Sequence, residues 1–269
     1  MKADQIVNEV IGELIATGEL SGARILDRDG SECGKVVDLL FGDDNWTIRY
    51  LVVDTGGFFH HEKVLISPWQ LARPEVEDIS GELVVDLTKQ QIESSPPLDS
   101  DAPVSRQYEH LLADHYEYPK YWVGPGLWGL FSYPQQTELS RAEQIRRDAQ
   151  MESIMHSHLR SIGEVTGYEA FAGQDDETVG KVEDLIFESG TWKIRYLIIR
   201  TGPLFHRKFV ALSPDWASRI SWESEQIKFD SLSRVVIDTS PEVDYRNRFH
   251  RDFEANLFDH YEKNYYWHP

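Results

Sequence analysis

The chain has a single cysteine, Cys33, among its 269 residues. One thiol excludes an internal disulfide framework and any multi-cysteine zinc site, and it makes a reducing compartment, the cytoplasm, the expected location. Long apolar runs are also missing. No stretch approaches the ~18 apolar residues of a spanning helix. The start, MKADQIVNEVIGELIATGEL, lacks the unbroken apolar segment of a secretory signal. Direct membrane insertion is therefore not expected. Basic residues are scarce: 27 Lys and Arg stand against 46 Asp and Glu, a net charge of −19 with neutral histidine. Phosphate binding needs a basic surface, so nucleic acid is not the expected ligand. The excess is spread over both halves, with 10 basic and 23 acidic groups in residues 1–134 and 17 and 23 in residues 135–269. It is a property of the whole body and not of a tail. Nucleophile elbows, phosphate loops and dinucleotide fingerprints are absent too. No enzymatic activity and no cofactor are expected.

What is present is a duplication. Residues 34–68 read GKVVDLLFGDDNWTIRYLVVDTGGFFHHEKVLISP, and residues 180–214 read GKVEDLIFESGTWKIRYLIIRTGPLFHRKFVALSP. They align without a gap at an offset of 146 and share 18 of 35 positions. Upstream, LIATGELSG from Leu14 matches LRSIGEVTG from Leu159, and downstream Leu83–Pro97 matches Ile227–Pro241. Further on, Asp114-His-Tyr-Glu117 and Tyr121-Trp122 recur as Asp259-His-Tyr-Glu262 and Tyr266-Trp267. A unit of this length is a domain and not a solenoid repeat. Hydrophobic residues at 41% and charged residues at 27% fit a globular chain of two domains.

Each copy reads as β. Lys35–Phe41 and Lys181–Glu188 are strand-forming, followed by turn residues and then by the β-branched and aromatic runs Trp46–Asp54 and Trp192–Arg200. Lys63–Ser67, Phe209–Ser213, Leu83–Asp86 and Gln226–Asp230 predict further short strands. Thr88–Ser94 and Leu232–Asp238 predict one or two helical turns. Between the copies, residues 118–137 are rich in Gly, Pro and aromatics. A helix is predicted from Ser140, with Glu143 as its capping partner and Ile145, Ala149 and Met155 on one face. The N-terminal Ile6, Val10, Ile11 and Leu14 also have helical spacing. The reading is a mainly β chain: two small barrels in tandem, with short helices and an α-helical connector. The first barrel spans 13–117, the connector 118–158, and the second barrel with its aromatic tail 159–269.

The pattern Gly-Lys-Val-x-Asp-Leu-x-Phe, Trp-x-Ile-Arg-Tyr-Leu and a strand ending Ser-Pro resembles the PRC-barrel domain. The residues that carry the resemblance are Gly34, Asp38, Trp46, Arg49 and Tyr50, and in the second copy Gly180, Asp184, Trp192, Arg195 and Tyr196. The family includes the cytoplasmic domain of the photosynthetic reaction centre H subunit and the C-terminal domain of the ribosome maturation factor RimM. In both the barrel is an adaptor, so the resemblance implies an interaction module, and in the H-subunit form a support for a membrane-bound or redox assembly. The chain lacks the transmembrane helix of the former and a second fold of the latter type.

Individual residues divide between packing and function. Asp38 and Asp184 recur once per copy, which favours a carboxylate that satisfies backbone N–H groups or Arg49 and Arg195. Alternation puts Trp46, Ile48 and Tyr50 on one strand face and Arg49 on the other, and likewise in the second copy. Cys33 lies among acids, which disfavour a thiolate, and reads as a small apolar plug. His60, His61 and His206 are the residues on which a metal- or ligand-binding sensor, the alternative function, would rest. Adjacent histidines on a strand point apart, and no metal is expected. In the tails, Asp114 with Glu117, or Asp259 with Glu262, would share a helix face and make at best a weak cation site. The aromatic tails are the candidate partner-binding surface, led by Tyr116, Tyr121, Trp122, Trp128, Tyr261, Tyr266 and Trp267, with folding back on a barrel or docking the two barrels together as the alternative. A protein partner of unknown identity and a homodimer are the expected associations.

Overall fold

The computed structural model describes residues 12–56, 63–73, 81–98, 103–134, 158–202, 207–245 and 249–267. The first repeat runs β1 (Leu14–Ala16), α1 (Thr17–Leu20), β2 (Arg24–Leu26), β3 (Glu32–Gly42), β4 (Thr47–Asp54), β5 (Lys63–Ile66), a 3-10 turn (Pro68–Gln70), β6 (Glu82–Val84), α2 (Lys89–Glu93) and α3 (Arg106–Tyr116). The second runs β7 (Leu159–Ser161), α4 (Ile162–Val165), β8 (Glu169–Ala172), β9 (Glu177–Glu188), β10 (Ile194–Thr201), β11 (Lys208–Leu212), a 3-10 turn (Pro214–Trp216), β12 (Arg219–Ser221), β13 (Gln226–Phe229), α5 (Arg234–Asp238) and α6 (Arg251–His260). The mainly β reading holds, and every strand predicted in the two bodies is present. The Ser-Pro pairs end β5 and β11 as expected, because proline has no N–H to donate and each serine caps the 3-10 turn that follows. The predicted helix around Ile145, Ala149 and Met155, the N-terminal Ile6, Val10 and Ile11, and the histidines His60, His61 and His206 lie outside the described residues.

The two hairpins differ from expectation at one position. Trp46 and Trp192 do not begin β4 and β10. They sit in the turns with φ of 54° and 61°. That left-handed backbone is disfavoured by roughly 1–2 kcal/mol for an L-residue. It is held by amide bonds back across the turn, from Trp46 N–H to Gly42 O at 2.8 Å and from Trp192 N–H to Glu188 O at 2.7 Å. Ring burial offsets the rest: Trp46 stacks on Phe41 at 4.9 Å, and both indoles are buried. Gly34 and Gly180 are fixed by a close approach of strands. A Cβ at Gly34 would lie 2.4 Å from Asp54 O, and one at Gly180 would lie 2.1 Å from Arg200 O.

The chain forms two compact units, and they are not the two repeats. One unit gathers Glu19–Ser161 and Glu188–Lys193. The other gathers Glu13–Gly18, Ile162–Phe187 and Ile194–Pro269. The first unit has the sheet order β5-β4-β3-β2-β6, with β7 added to β3, and the second the order β11-β10-β9-β8-β13-β12, with β1 added to β9. Each sheet therefore takes a strand from the lead-in of the other repeat. In the first unit the register is Leu40↔Ser161, Phe41↔Arg160 and Gly42↔Leu159. The compact units thus cross the repeat boundary at 158/159, and residues 118–134 group with the first unit.

The carboxylate repeated in each copy fastens the incoming strand. Asp38 Oδ2 accepts a hydrogen bond from Ser161 Oγ at 2.5 Å, and its Oδ1 accepts one from Leu39 N at 2.8 Å. In the second unit Asp184 Oδ1 accepts from Thr17 Oγ at 2.7 Å, Gly18 N at 3.2 Å and Leu185 N at 2.8 Å. Of the partners expected for these acids, backbone amides are found, and each acid also takes a hydroxyl from the other lead-in. Burial pushes the Asp184 carboxyl above its ordinary range, opposed by those hydrogen bonds. Asp184→Ala leaves the hydroxyl and amide donors without their acceptor and is expected to destabilise the second unit by about 1–3 kcal/mol. Asp184→Asn keeps an acceptor and should recover most of that in chemical unfolding.

Candidate functional site

The aromatic tails fold onto the barrels, and a buried glutamate holds each one. In the first unit α3 carries Glu109, whose side chain is fully buried. Its Oε1 accepts from Tyr121 OH at 2.6 Å and from Tyr50 OH on β4 at 3.2 Å, and its Oε2 lies 2.8 Å from Arg106 Nη1. Arg106 also donates to Tyr121 OH at 3.1 Å and stands 4.3 Å from the Trp122 ring. Tyr118 adds a hydroxyl contact to Tyr50 at 3.3 Å. A carboxylate buried in this way needs both an opposite charge and hydrogen-bond donors. Here an arginine one helical turn away and two phenols supply them.

The second unit repeats the arrangement. Glu254 on α6 accepts from Tyr196 OH at 2.6 Å and from Tyr266 OH at 2.9 Å, and it pairs with Arg251 at 2.7 Å. Arg251 bonds Tyr266 OH at 3.2 Å and stands 4.4 Å from the Trp267 ring. Neither glutamate nor its arginine was singled out in the sequence. The signal was there: Arg106-Gln-Tyr-Glu109 and Arg251-Asp-Phe-Glu254 recur at the same offset of 145 as the Asp-His-Tyr-Glu segments.

Arg49 is not on an open strand face. The face that alternation assigns to it is covered by residues 121–131, so Arg49 is buried. It lies 4.0 Å from the Tyr121 ring and 5.1 Å from the Trp128 ring. It donates to Asn45 Oδ1 at 3.0 Å and to the Leu127 carbonyl. Arg195 takes the same place against the Tyr266 ring, at 4.0 Å. Burial lowers the Arg49 pKa, with the neighbouring tyrosines and acids opposing the fall.

The candidate partner residues thus separate. Tyr116, Tyr121, Trp128 and Tyr261 are buried, and Trp128 donates its indole N–H to Thr191 O at 2.9 Å. Their side chains face inward and have little surface to give a partner. Trp122, Tyr266 and Trp267 are half-buried. The Asp-His-Tyr-Glu segments are helix ends: His115 Nε2 contacts Gln91 O and His260 Nε2 contacts Val236 O, both at 2.8 Å, and Glu117 and Glu262 adopt left-handed φ. Among the described residues no group of three or more His, Cys, Asp or Glu side chains is placed to hold a metal ion. Cys33 is buried, and burial, followed by Asp27, pushes its thiol up.

The tyrosines of the first clasp are locked in the donor state. Burial raises Tyr50 and Tyr118 well above the ordinary phenol value of 10.0. A phenol raised on folding contributes stability that is present below about pH 10 and lost as pH rises above it. Alkaline titration followed at the phenolate absorption band should therefore show these tyrosines ionising together with loss of β circular dichroism. Independent ionisation in an intact fold would contradict this placement.

In each unit the buried glutamate anchors the tail to the barrel. A family model described as PRC-barrel domain matches residues 12–92 and, a second time, residues 159–236. No curated protein matches the chain significantly. Among the described residues no helix is long and apolar enough to cross a membrane.

Proposed function

The chain belongs to the PRC-barrel domain family, and from that premise we propose that it is a non-enzymatic adaptor whose acidic surface takes a protein partner. The observation that carries this reading is where the duplicated residues are used. A chemistry shared by both copies would draw on residues present in both. Asp38 and Asp184, Arg49 and Arg195, and Glu109 and Glu254 are engaged in fastening strands and tails. What the outside offers is charge, −19 over the chain. The partner is accordingly a protein with a basic face, drawn by an attraction that salt screens.

In its concrete form the adaptor works in the cytoplasm and supports a membrane-bound or redox assembly, as a homodimer. Trp122, Tyr266 and Trp267 are the tail residues with surface to contribute. The test is capture from native lysate with the tagged full chain at graded salt, with solution mass measured on the same preparation. A partner with a basic surface, released as salt rises and retained less by the Trp122→Ala, Trp267→Ala double variant, supports the reading. Retention of no partner, together with turnover of a small molecule by the purified chain, would overturn it.

A further inference from the structure

Charge is missing from one stretch of this acidic chain. Residues 121–137 hold no Asp, Glu, Lys or Arg, the longest such window in a chain that is 27% charged. Its described part, residues 121–134, forms a pinned loop of the first unit. Tyr121 and Trp128 are buried, Gly126 N–H donates to Gly129 O at 2.7 Å, and Trp128 N–H donates to Phe131 O at 2.9 Å. The Arg49 guanidinium holds the loop through Leu127 O, and Thr191 O holds it through the Trp128 indole. Gly124 has φ of 127°, and a Cβ there would lie 2.5 Å from Gly129 O, so the loop closes only with glycine at that place.

What the loop leaves accessible is apolar. Leu130 is 37% exposed, and Leu127, Phe131 and Tyr133 are half-buried. Phe131 leans on Trp69, with 6.2 Å between ring centroids. A preorganised apolar surface loses little conformational freedom when it is covered. Interface cores are poor in charge and rich in aromatics, as this loop is. Its border carries both signs. Lys120 immediately precedes the loop, and its carbonyl accepts from Val123 N at 3.2 Å. Asp44 is exposed in the β3–β4 turn next to Asn45, and Arg49 bonds Asn45 Oδ1 and Leu127 O together.

Those signs choose the occupant. A border of acids alone would suit a basic partner. A border with one base and one acid suits a two-fold contact, in which Lys120 of each copy faces Asp44 of the other. Elsewhere two chains of −19 would bring carboxylates against carboxylates, which is repulsive. We propose that the loop 123–133 is the surface through which two copies of this chain associate, with Leu130 and Phe131 at its centre and Lys120 and Asp44 at its rim. The proposal rests on the homodimer of the adaptor reading and names its contact. The loop is smaller than the roughly 20–30 residues a side of a standard interface, so the association is weak and concentration-dependent.

The test is sedimentation equilibrium of the full chain from low micromolar to submillimolar concentration, where monomer and dimer in exchange are expected. Leu130→Asp places a carboxylate at the centre from both sides and should raise the dissociation constant by at least about tenfold. The position is exposed, so β circular dichroism should be unchanged. Lys120→Glu and Asp44→Lys should each weaken the dimer at low salt. The double variant exchanges the two signs across the contact and should regain most of the loss. A chain that is monomeric throughout the range, or a dimer unchanged by Leu130→Asp, would overturn the assignment. Absence of rescue in the double variant would overturn the two-fold pairing of the rim. Binding to phosphatidylcholine vesicles that is lost in Leu130→Asp would give the loop to a membrane surface and overturn the proposal. Salt-dependent capture of a basic partner is measured on monomeric Leu130→Asp, so failure of the dimer contact and failure of the adaptor reading are told apart.

Discussion

Glu109→Ala is expected to destabilise the first unit by about 3–5 kcal/mol, the cost of removing one member of a buried ion pair. The substitution takes the acceptor from Tyr50 and Tyr121 and the counter-charge from Arg106, all within 3.2 Å of the carboxylate. Arg106 is itself only 14% exposed, so water replaces little of what it loses. Glu109→Gln keeps an acceptor for the phenols and loses only the charge, and roughly half the effect is expected. The consequence extends beyond stability. Tyr121 covers Arg49, and Trp122 covers Arg106, so the tail should loosen before the sheet melts. Hydrogen exchange at residues 118–131 should rise more than at β4. Equal exchange in both segments would show that Glu109 supports the whole unit and not the tail. Glu254→Ala makes the corresponding change in the second unit, through Tyr196, Tyr266 and Arg251.

Ile15→Ala is expected to weaken the second unit by about 2–5 kcal/mol, the range for emptying a core aliphatic position. Ile15 is 1% exposed and lies in β1, which pairs with β9 although it precedes the first repeat's own sheet in the chain. A truncation there should therefore be felt by the later repeat. Amide protection of β9 and β10 should fall, while that of β3 and β4 should hold. The mirror experiment is Ser161→Ala, which removes the hydroxyl on Asp38 and should act on the first unit. If Ile15→Ala instead lowers protection of β3 and β4, the lead-in belongs to its own repeat.

Much of this architecture is legible in the sequence. The duplication and the period-two alternation placed the strands, and the Ser-Pro pairs placed their ends, because these signals are local and each copy checks the other. The exchange of lead-ins was not legible for the same reason. The segments from Leu14 and Leu159 are so alike that either would fit either sheet, and local pattern does not choose between them. Arg49 shows a second limit. Alternation gives the face on which a side chain stands, but not what comes to cover that face from seventy residues away. The left-handed tryptophans show a third: aromatic residues favour strands, yet Trp46 and Trp192 serve as turn residues, because ring burial and a bond across the turn outweigh the backbone preference. The clasps were half visible. Arg-x-x-Glu recurs in both copies, but its meaning depends on tyrosines supplied by a distant strand and by the tail.

Cutting the chain once tests the exchange most directly. A specific protease site placed between residues 134 and 158 separates the two repeats covalently while leaving every described strand intact. Each unit draws a strand from the other repeat, so the two halves should co-migrate in size exclusion under native conditions and part only in denaturant. Elution of the halves as two separately folded species would show that each repeat closes its own sheet, and would contradict the account.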